Sequence, residues 1–243
     1  MKQLIILLAV FLFFVPQINS QIRIDKNTII LDEAGNRIPS SKFGELSKSE
    51  QWSMEPNINS EGKLIHILAK KLSAEDKKVR QSGSSEIANI RAKTIGSPAP
   101  YFAVEATNGK IISSDTTKEK IVVLNFWFTS CMPCIQEIPH LNDVYETYKD
   151  NKDVVFASIT FNRKEQVAIF LEKHPISYPV VVNNGATCNL FNPIGAFPVN
   201  VVIDKNGNYY DYVVGGTSGI GRIIKNSIEN ALAGKKPIVA VSK

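Results

Sequence analysis

The residues Trp127-Phe128-Thr129-Ser130-Cys131-Met132-Pro133-Cys134 stand between a strand pattern and a helix pattern. Residues 121–127 are apolar apart from Asn125, which is typical of a central strand that is buried on both faces. The segment from Cys134 to Lys149 carries apolar side chains at helical spacing, namely Ile135, Ile138, Leu141 and Val144. The sequence therefore predicts a buried strand, a tight connection and a helix whose first turn contains both cysteines.

The two cysteines of this connection have the spacing and the position of a redox pair. Cys131 and Cys134 span the first helical turn, so their sulfurs can meet without distortion. Free backbone N–H groups and the helix dipole favour the thiolate of Cys131 at the helix N-terminus. Pro133 suits the first turn because no N–H is needed there. We predict that Cys131 attacks a substrate disulfide as the nucleophile and that Cys134 resolves the resulting mixed disulfide.

A structural disulfide and half of a zinc site are the two alternatives for this pair. A zinc site of this type needs a second Cys or His pair. The later candidates are His140, His174 and Cys188, and no two of them have a paired spacing. A structural disulfide across so short a loop would add little stability. The pattern favours redox exchange through a Cys131–Cys134 disulfide, and it predicts no metal site.

The pattern after residue 121 alternates between strands and helices. Further predicted strands are 153–160, 178–182, 199–204 and 209–214, and further predicted helices are 164–173 and 220–232. This order predicts an α/β fold with a central sheet flanked by helices. Residues 205–208 join the last two strands into an antiparallel hairpin, so we expect the sheet to be mixed.

Five further segments carry a family pattern around the cysteine pair: Asn125-Phe126-Trp127, Glu137-Ile138-Pro139, Phe197-Pro198-Val199, residues 202–207 and Gly215-Gly216. With these segments, residues 95–234 resemble the thioredoxin-like domain of TlpA/ResA-type exported thiol–disulfide oxidoreductases, which are related to the AhpC/TSA proteins. The resemblance implies a thioredoxin-like fold and an enzyme that exchanges disulfides with protein substrates. It implies no cofactor other than the redox-active disulfide itself.

The resemblance also assigns substrate contacts around the pair. It implies that Pro198 is a cis-proline that faces the cysteines, and that the backbone of its loop pairs with an extended substrate segment. An ordinary trans-proline at the start of a strand is the alternative. The other residues expected to contact substrate are Trp127, Met132, Pro133 and Phe197.

Glu137 lies three residues beyond Cys134 and returns to the same face of the helix. The matching carboxylate of the family influences cysteine titration and proton transfer, so the resemblance implies that role for Glu137. A solvated helix glutamate is the alternative. Cytoplasmic thioredoxins carry a buried Asp where this chain has Asn125, and the missing proton acceptor draws attention to Glu137.

The first residues have the layout of a secretory signal peptide. Lys2 supplies a positive charge, residues 4–15 are apolar without interruption, and Ser20 is a small residue suited to cleavage. The apolar run is short for a bilayer crossing, which takes about 20 residues. We predict a signal peptide at 1–20 and an extracytoplasmic, periplasmic location, with an uncleaved membrane anchor as the alternative.

Residues 21–92 are interpreted as an N-terminal extension or a small domain of unknown role, and their sequence offers no ligand signature. The polar run Gln81-Ser82-Gly83-Ser84-Ser85 predicts a linker near the end of this region. The thioredoxin-like domain is assigned to residues 93–243.

Charge and the third cysteine limit the partners. The formal net charge is +5, and the lysines cluster only in pairs, so no nucleic-acid groove is predicted. Cys188 lies ten residues before Pro198 on an expected short helix. A buried inert thiol is favoured there over a second redox thiol.

The functional interpretation is a thiol–disulfide oxidoreductase that reduces exported proteins, in cytochrome c maturation or in the repair of wrong disulfides. A membrane redox partner is expected to recharge it. A thioredoxin-fold peroxidase is one alternative, although Phe128 stands where the motif of that family has Thr. A copper-binding or metallochaperone module using Cys131, Cys134 and His140 is the other, because soft thiolates suit Cu(I).

Overall fold

A computed structural model describes residues 25–49, 51–58, 64–216 and 219–237 of the chain. The predicted signal peptide at 1–20 therefore lies outside the described residues. None of the described helices combines the length and the apolar character that a membrane crossing requires.

The first part of the chain forms a small four-stranded sheet with strand order β2-β1-β4-β3. Its elements are β1 (Ile30–Asp32), β2 (Arg37–Ile38), α1 (Phe43–Lys48), β3 (Trp52–Ile58) and β4 (Leu64–Lys71). Strand β1 runs parallel to β4, whereas β3 pairs with β4 in antiparallel fashion. The sheet has a core of its own, which is built on the buried side chains of Ile30, Ile67 and Ala69.

Helix α2 (Ala74–Thr94) follows this sheet. It begins at a capping box, in which the Ser73 hydroxyl accepts from the Asp76 N–H and the Asp76 carboxylate accepts from the Ser73 N–H, both at 3.0 Å. The predicted linker at residues 81–85 is wrong, because these residues lie inside α2. The serine and glycine content of residues 81–85 suggested a flexible segment, but both ends of the helix are held in place. The capping box holds the start, and near the other end Ile90 packs against the main core and Arg91 pairs with Asp211 at 2.8 Å.

The remainder of the chain forms a five-stranded central sheet with order β11-β10-β7-β8-β9, flanked by helices. This part of the chain begins with the hairpin β5 (Ala103–Glu105) and β6 (Ile111–Ser113), which is a separate two-stranded sheet. The elements that follow are β7 (Ile121–Trp127), α3 (Met132–Tyr148), β8 (Val154–Thr160), α4 (Lys164–Lys173), β9 (Val180–Val181), α5 (Gly185–Phe191), β10 (Val199–Ile203), β11 (Tyr209–Val214) and α6 (Ile220–Leu232). Strands β7, β8 and β9 are parallel, and β10 is antiparallel to both of its neighbours. The predicted α/β fold with a mixed central sheet is confirmed.

Strand β7 has two different buried faces. Val122, Leu124 and Phe126 point into one core, which also contains Phe191 of α5. The alternate residues, beginning with Ile121 and continuing through Val123, pack with α3 and α6 on the opposite face. Asn125 belongs to this second set by its position in the strand, so its amide lies under α3.

Both edges of the central sheet are hydrogen-bonded to earlier parts of the chain. At the β11 edge, the Tyr209 N–H donates to the Ser97 carbonyl at 2.9 Å, and the Gly96 N–H donates to the Tyr209 carbonyl at 2.8 Å. At the β9 edge, the Thr107 N–H donates to the Val180 carbonyl at 2.7 Å. The turn and the lead-in segment before β7 therefore occupy backbone groups that an open edge would expose.

Candidate active site

Cys131 and Cys134 are joined by a disulfide with an S–S distance of 2.03 Å. Cys131 is the N-cap residue of α3, and its sulfur accepts from the Cys134 N–H at 3.3 Å. The sulfur of Cys131 thus lies against the unpaired N–H groups of a helix start, where the dipole stabilises a thiolate once the bond is reduced. Only 4% of Cys131 and 1% of Cys134 are exposed, so a partner must come into close contact to reach either sulfur.

The start of β10 lies beside this pair. Phe197 packs against the side-chain cluster that contains both cysteines. The peptide bond between Phe197 and Pro198 is cis. The Pro198 carbonyl accepts from the Gly215 N–H at 2.8 Å, which ties the proline loop to the end of β11.

Three aromatic rings contact one another next to the disulfide, and we call Phe128, Phe161 and Phe197 the aromatic patch. The ring centroid of Phe128 lies 5.7 Å from that of Phe161 and 5.3 Å from that of Phe197. The centroids of Phe161 and Phe197 are 5.8 Å apart. Phe161 is 43% exposed, so the patch reaches the surface. Phe161 was not predicted from the sequence. Its position directly after β8 was the available signal, because parallel strands β7 and β8 end at the same edge of the sheet.

Trp127 does not belong to this surface. Its side chain is fully buried, its indole N–H donates to the Ser158 hydroxyl, and its ring lies 4.8 Å from that of Phe170. The expectation that Trp127 contacts substrate is therefore wrong for this structure: the last residue of a central strand points into the core. Met132 is half-buried and Pro133 is exposed, so the two residues between the cysteines reach the surface.

Glu137 is buried rather than solvated, with 1% of its surface exposed. Its Oε1 atom accepts from the Asn125 amide at 3.0 Å and from the Asn200 amide at 2.9 Å. Burial raises the pKa of Glu137 to about 7, although the hydrogen bonds from Asn200 and Asn125 oppose this rise. A carboxyl with this pKa can accept or release a proton near neutral pH, and Cys134 lies one helical turn before it.

Two further side chains complete this buried group. The Asn125 amide also donates to Asn200 Oδ1 at 2.9 Å, and the Tyr178 hydroxyl donates to Asn125 Oδ1 at 3.2 Å. Asn125 and Glu137 were predicted from the sequence, whereas Asn200 and Tyr178 were not. A signal for Asn200 existed, since it is the only polar residue in the otherwise apolar strand β10 (Val199–Ile203).

Residues 95–209 match the model of the AhpC/TSA family. The thiol–disulfide oxidoreductase ResA of Bacillus cereus strain ZK / E33L is 32% identical over 121 residues, which cover 50% of this chain and 70% of that relative. The chain belongs to the ResA-type thiol–disulfide oxidoreductases. The predicted enzyme class and the predicted resemblance are thereby confirmed.

Solved structures agree with the ResA-type assignment. A candidate thiol:disulfide interchange protein DsbE from Chlorobium tepidum superposes with a TM-score of 0.51 at 26% identity, covering 57% of this chain and 97% of that one. A candidate protein disulfide isomerase from Bacteroides thetaiotaomicron gives a TM-score of 0.52 at 26% identity, covering 57% of this chain and 90% of that one. The thioredoxin-like fold is therefore shown for the part of the ResA-type chain that carries the cysteine pair.

The third cysteine of this ResA-type protein is remote from exchange chemistry. Cys188 lies on α5, is 2% exposed and packs among the apolar side chains of the main core. Burial raises the pKa of its thiol to about 11, which keeps it protonated. In the described part of the chain, no group of three or more His, Cys, Asp or Glu side chains is arranged to hold a metal ion.

Proposed function

We propose that this protein exchanges disulfides with exported proteins through Cys131 and Cys134, and that it acts as their reductant. The observation that carries the proposal is the position of the bonded pair at the N-terminus of α3, between the exposed aromatic patch and a buried carboxyl of raised pKa. A purely structural disulfide would need neither of these neighbours.

Exchange begins with the reduced pair. The thiolate of Cys131 attacks one sulfur of a substrate disulfide, a Cys131–substrate disulfide forms, and the other substrate sulfur leaves as a thiolate that takes a proton from water. The thiolate of Cys134 then attacks the Cys131 sulfur and closes the Cys131–Cys134 disulfide, while the second substrate thiolate leaves. Two electrons pass from the cysteine pair to the substrate.

Glu137 supplies the proton acceptor in this scheme. Cys134 is 1% exposed, so water has little access to its thiol. The Glu137 carboxylate takes the proton from Cys134 and later returns it to the departing substrate thiolate or to solvent. Its pKa of about 7 suits both directions of transfer near neutral pH.

Substrate binds across the exposed rim of the pair. We assign this surface to Met132, Pro133 and the aromatic patch, which come from three separate segments of the chain, while Pro198, whose side chain is buried, contributes the backbone of its loop. Apolar rings around a nucleophilic sulfur favour an extended, unfolded segment that presents apolar side chains next to its cysteine.

The cellular setting follows from the same proposal. The signal peptide at 1–20 would export the chain to the periplasm, where a membrane redox partner recharges the pair and no organic cofactor is needed. Reduction of cytochrome c precursors and repair of wrong disulfides are the two uses that fit a reductant in this compartment.

The deciding experiment is the reduction potential of the Cys131–Cys134 pair, measured by equilibration in glutathione or dithiothreitol buffers with Cys188→Ser. We expect one two-electron transition near the potential of thioredoxin, about −270 mV. A value near about −120 mV would make the protein an oxidant. A pair that resists reduction well below about −300 mV would be structural, and the proposal would be wrong.

A further inference from the structure

Two buried amides face each other across the middle of the central sheet. Asn125 of β7 and Asn200 of β10 are directly opposite partners in the antiparallel pairing of these strands. Asn125 is 2% exposed and Asn200 is fully buried. A buried amide must find hydrogen-bond partners within the protein, and Glu137 is the partner that both amides share.

Both amides of this pair donate to the same carboxylate oxygen. The Asn125 and Asn200 NH₂ groups both donate to Glu137 Oε1. The reverse orientation of Asn125 would set its carbonyl against Glu137 Oε1 and Asn200 Oδ1, which are both acceptors. The Tyr178 hydroxyl, donating to Asn125 Oδ1 from the other side, holds the observed orientation.

The second oxygen of the carboxyl is in a different situation. Glu137 Oε2 is buried and has no hydrogen-bond partner among the described residues. Oε1 already accepts two N–H bonds, and a proton on it would point at these two donors. Oε2 is thus the oxygen that is free to carry a proton.

We propose that Asn200, in register with Asn125, is a positioning residue that confines the exchangeable proton of Glu137 to Oε2. The inference rests on the proposed role of Glu137 in the exchange reaction. In the resolving step, the proton of the Cys134 thiol moves to Glu137 Oε2, and the electron pair left on the Cys134 sulfur forms the bond to Cys131. The substrate thiolate leaves with the electrons of the mixed disulfide.

Few other groups compete for this proton. The titratable groups that face Glu137 are the Tyr178 phenol, on the segment before β9, and the two cysteines at the start of its own helix. The pKa of Tyr178 lies well above its ordinary value, because of burial first and the nearby Glu137 carboxylate second, so the phenol stays protonated. Within the described chain, none of the salt bridges includes Glu137.

The direct test is Asn200→Leu, which removes the donor and roughly preserves side-chain size. Burial raises the pKa of Glu137, and the hydrogen bond from Asn200 lowers it. Without this hydrogen bond we expect the pKa of Glu137 to rise by about one unit. A ¹³C-glutamate NMR titration of the oxidised protein reads this pKa without any exchange reaction. A rise from 7 to 8 would leave about one fifth as much carboxylate at pH 7, so the resolving step should slow about fivefold there and regain its rate at higher pH.

Three companion variants separate positioning from loss of packing. In a Glu137→Gln background, Asn200→Leu should no longer shift the pH profile of the resolving step. Asn200→Thr, whose hydroxyl can donate, should bring the pKa part of the way back, and it serves as the test if Asn200→Leu does not fold. Asn192→Leu removes another buried amide, which bonds the Ala196 carbonyl, and should leave the pKa of Glu137 unchanged.

The outcomes distinguish this inference from the function on which it rests. An unchanged pKa of Glu137 in folded Asn200→Leu overturns the inference, and so does a pH-profile shift that persists in the Glu137→Gln background. Failure of the unmutated protein to exchange disulfides overturns the proposed function instead, because the NMR titration still reports on the amide pair.

Discussion

The carboxyl of Glu137 binds its proton more tightly in the folded chain than in the unfolded chain, because burial raises its pKa from 4.5 to about 7. Between these two pH values the folded state holds the extra proton. The contribution of Glu137 to the free energy of unfolding is therefore fully present below about pH 4.5 and is lost as pH rises through 7. The difference corresponds to about 3 kcal/mol of unfolding free energy across this window.

Glu137→Gln should remove this slope. The amide keeps an oxygen for the Asn125 and Asn200 donors and cannot titrate. The glutamine side chain should therefore make the same contribution to the free energy of unfolding at every pH. Urea unfolding of the oxidised protein from pH 4.5 to 8 measures the effect. Glu146→Gln is the matched control, because Glu146 lies on the same helix but is half-exposed and pairs with Lys149 at the surface. Parallel pH profiles for the wild type and Glu137→Gln would contradict the prediction.

At the residue scale, the sequence revealed positions better than it revealed contacts. Cys131, Cys134, Glu137 and Asn125 were singled out because they interrupt regular patterns or match a motif. Asn200 and Phe161 each gave a local signal, but they reach the site because strands distant in sequence pair side by side, and that pairing is not encoded locally. The same limitation explains the error at Trp127, since strand position alone did not decide whether its ring turned toward substrate or core.

Helix α2 was not predicted at residues 81–85, because the composition of these residues disfavours a helix while the rest of the helix and its contacts favour one. Serine and glycine are poor interior helix residues, and residues 81–85 contain little else. The Ser73 cap and the packing of Ile90 lie outside that window, and they stabilise the helix through it. The central strands and α3 were predicted correctly because their apolar periodicity and their tertiary burial agree.

Gly83 allows the helix and the linker interpretations of residues 81–85 to be compared by experiment. A Cβ added at Gly83 would meet no atom within 4 Å. Gly83→Ala should therefore stabilise α2 by about 0.5–1 kcal/mol, through the higher helix propensity of alanine. Guanidinium unfolding followed by circular dichroism at 222 nm measures this gain.

A glycine in a turn provides the opposite control. Gly109 has φ +79°, so Gly109→Ala should lose stability by about 1 kcal/mol. If Gly83→Ala leaves the unfolding midpoint unchanged while Gly109→Ala lowers it, residues 81–85 do not behave as a helix in solution.

On the scale of the whole molecule, one ion pair connects α2 to the central sheet. Arg91 pairs with Asp211 of β11, which is mostly buried and also accepts from the Ser227 hydroxyl at 2.7 Å and the Tyr212 N–H at 2.8 Å. The Arg91 side chain is one third exposed, so solvent screens part of the attraction. The pair therefore links the segment that follows the small sheet to the domain that carries the cysteines.

Arg91→Met keeps an apolar stem and removes the charge, so the Asp211 carboxylate loses its cation in a mostly buried position. We expect unfolding free energy to fall by about 1–2 kcal/mol, measured by the guanidinium midpoint. Lys205→Met breaks an ion pair with Asp153 that is far more exposed, and it should change stability by less than about 0.5 kcal/mol. Equal losses in the two variants would show that α2 is not anchored through Asp211.

The backbone bonds at the two edges of the central sheet bear on how the protein would meet unfolded chains. The proposed reductant would meet unfolded chains, whose extended segments add readily to any strand with free backbone groups. Here Ser97, Gly96 and Thr107 already occupy backbone groups at Tyr209 and Val180. These bonds leave fewer edge groups to which an extended segment of a proposed substrate could add as a further strand.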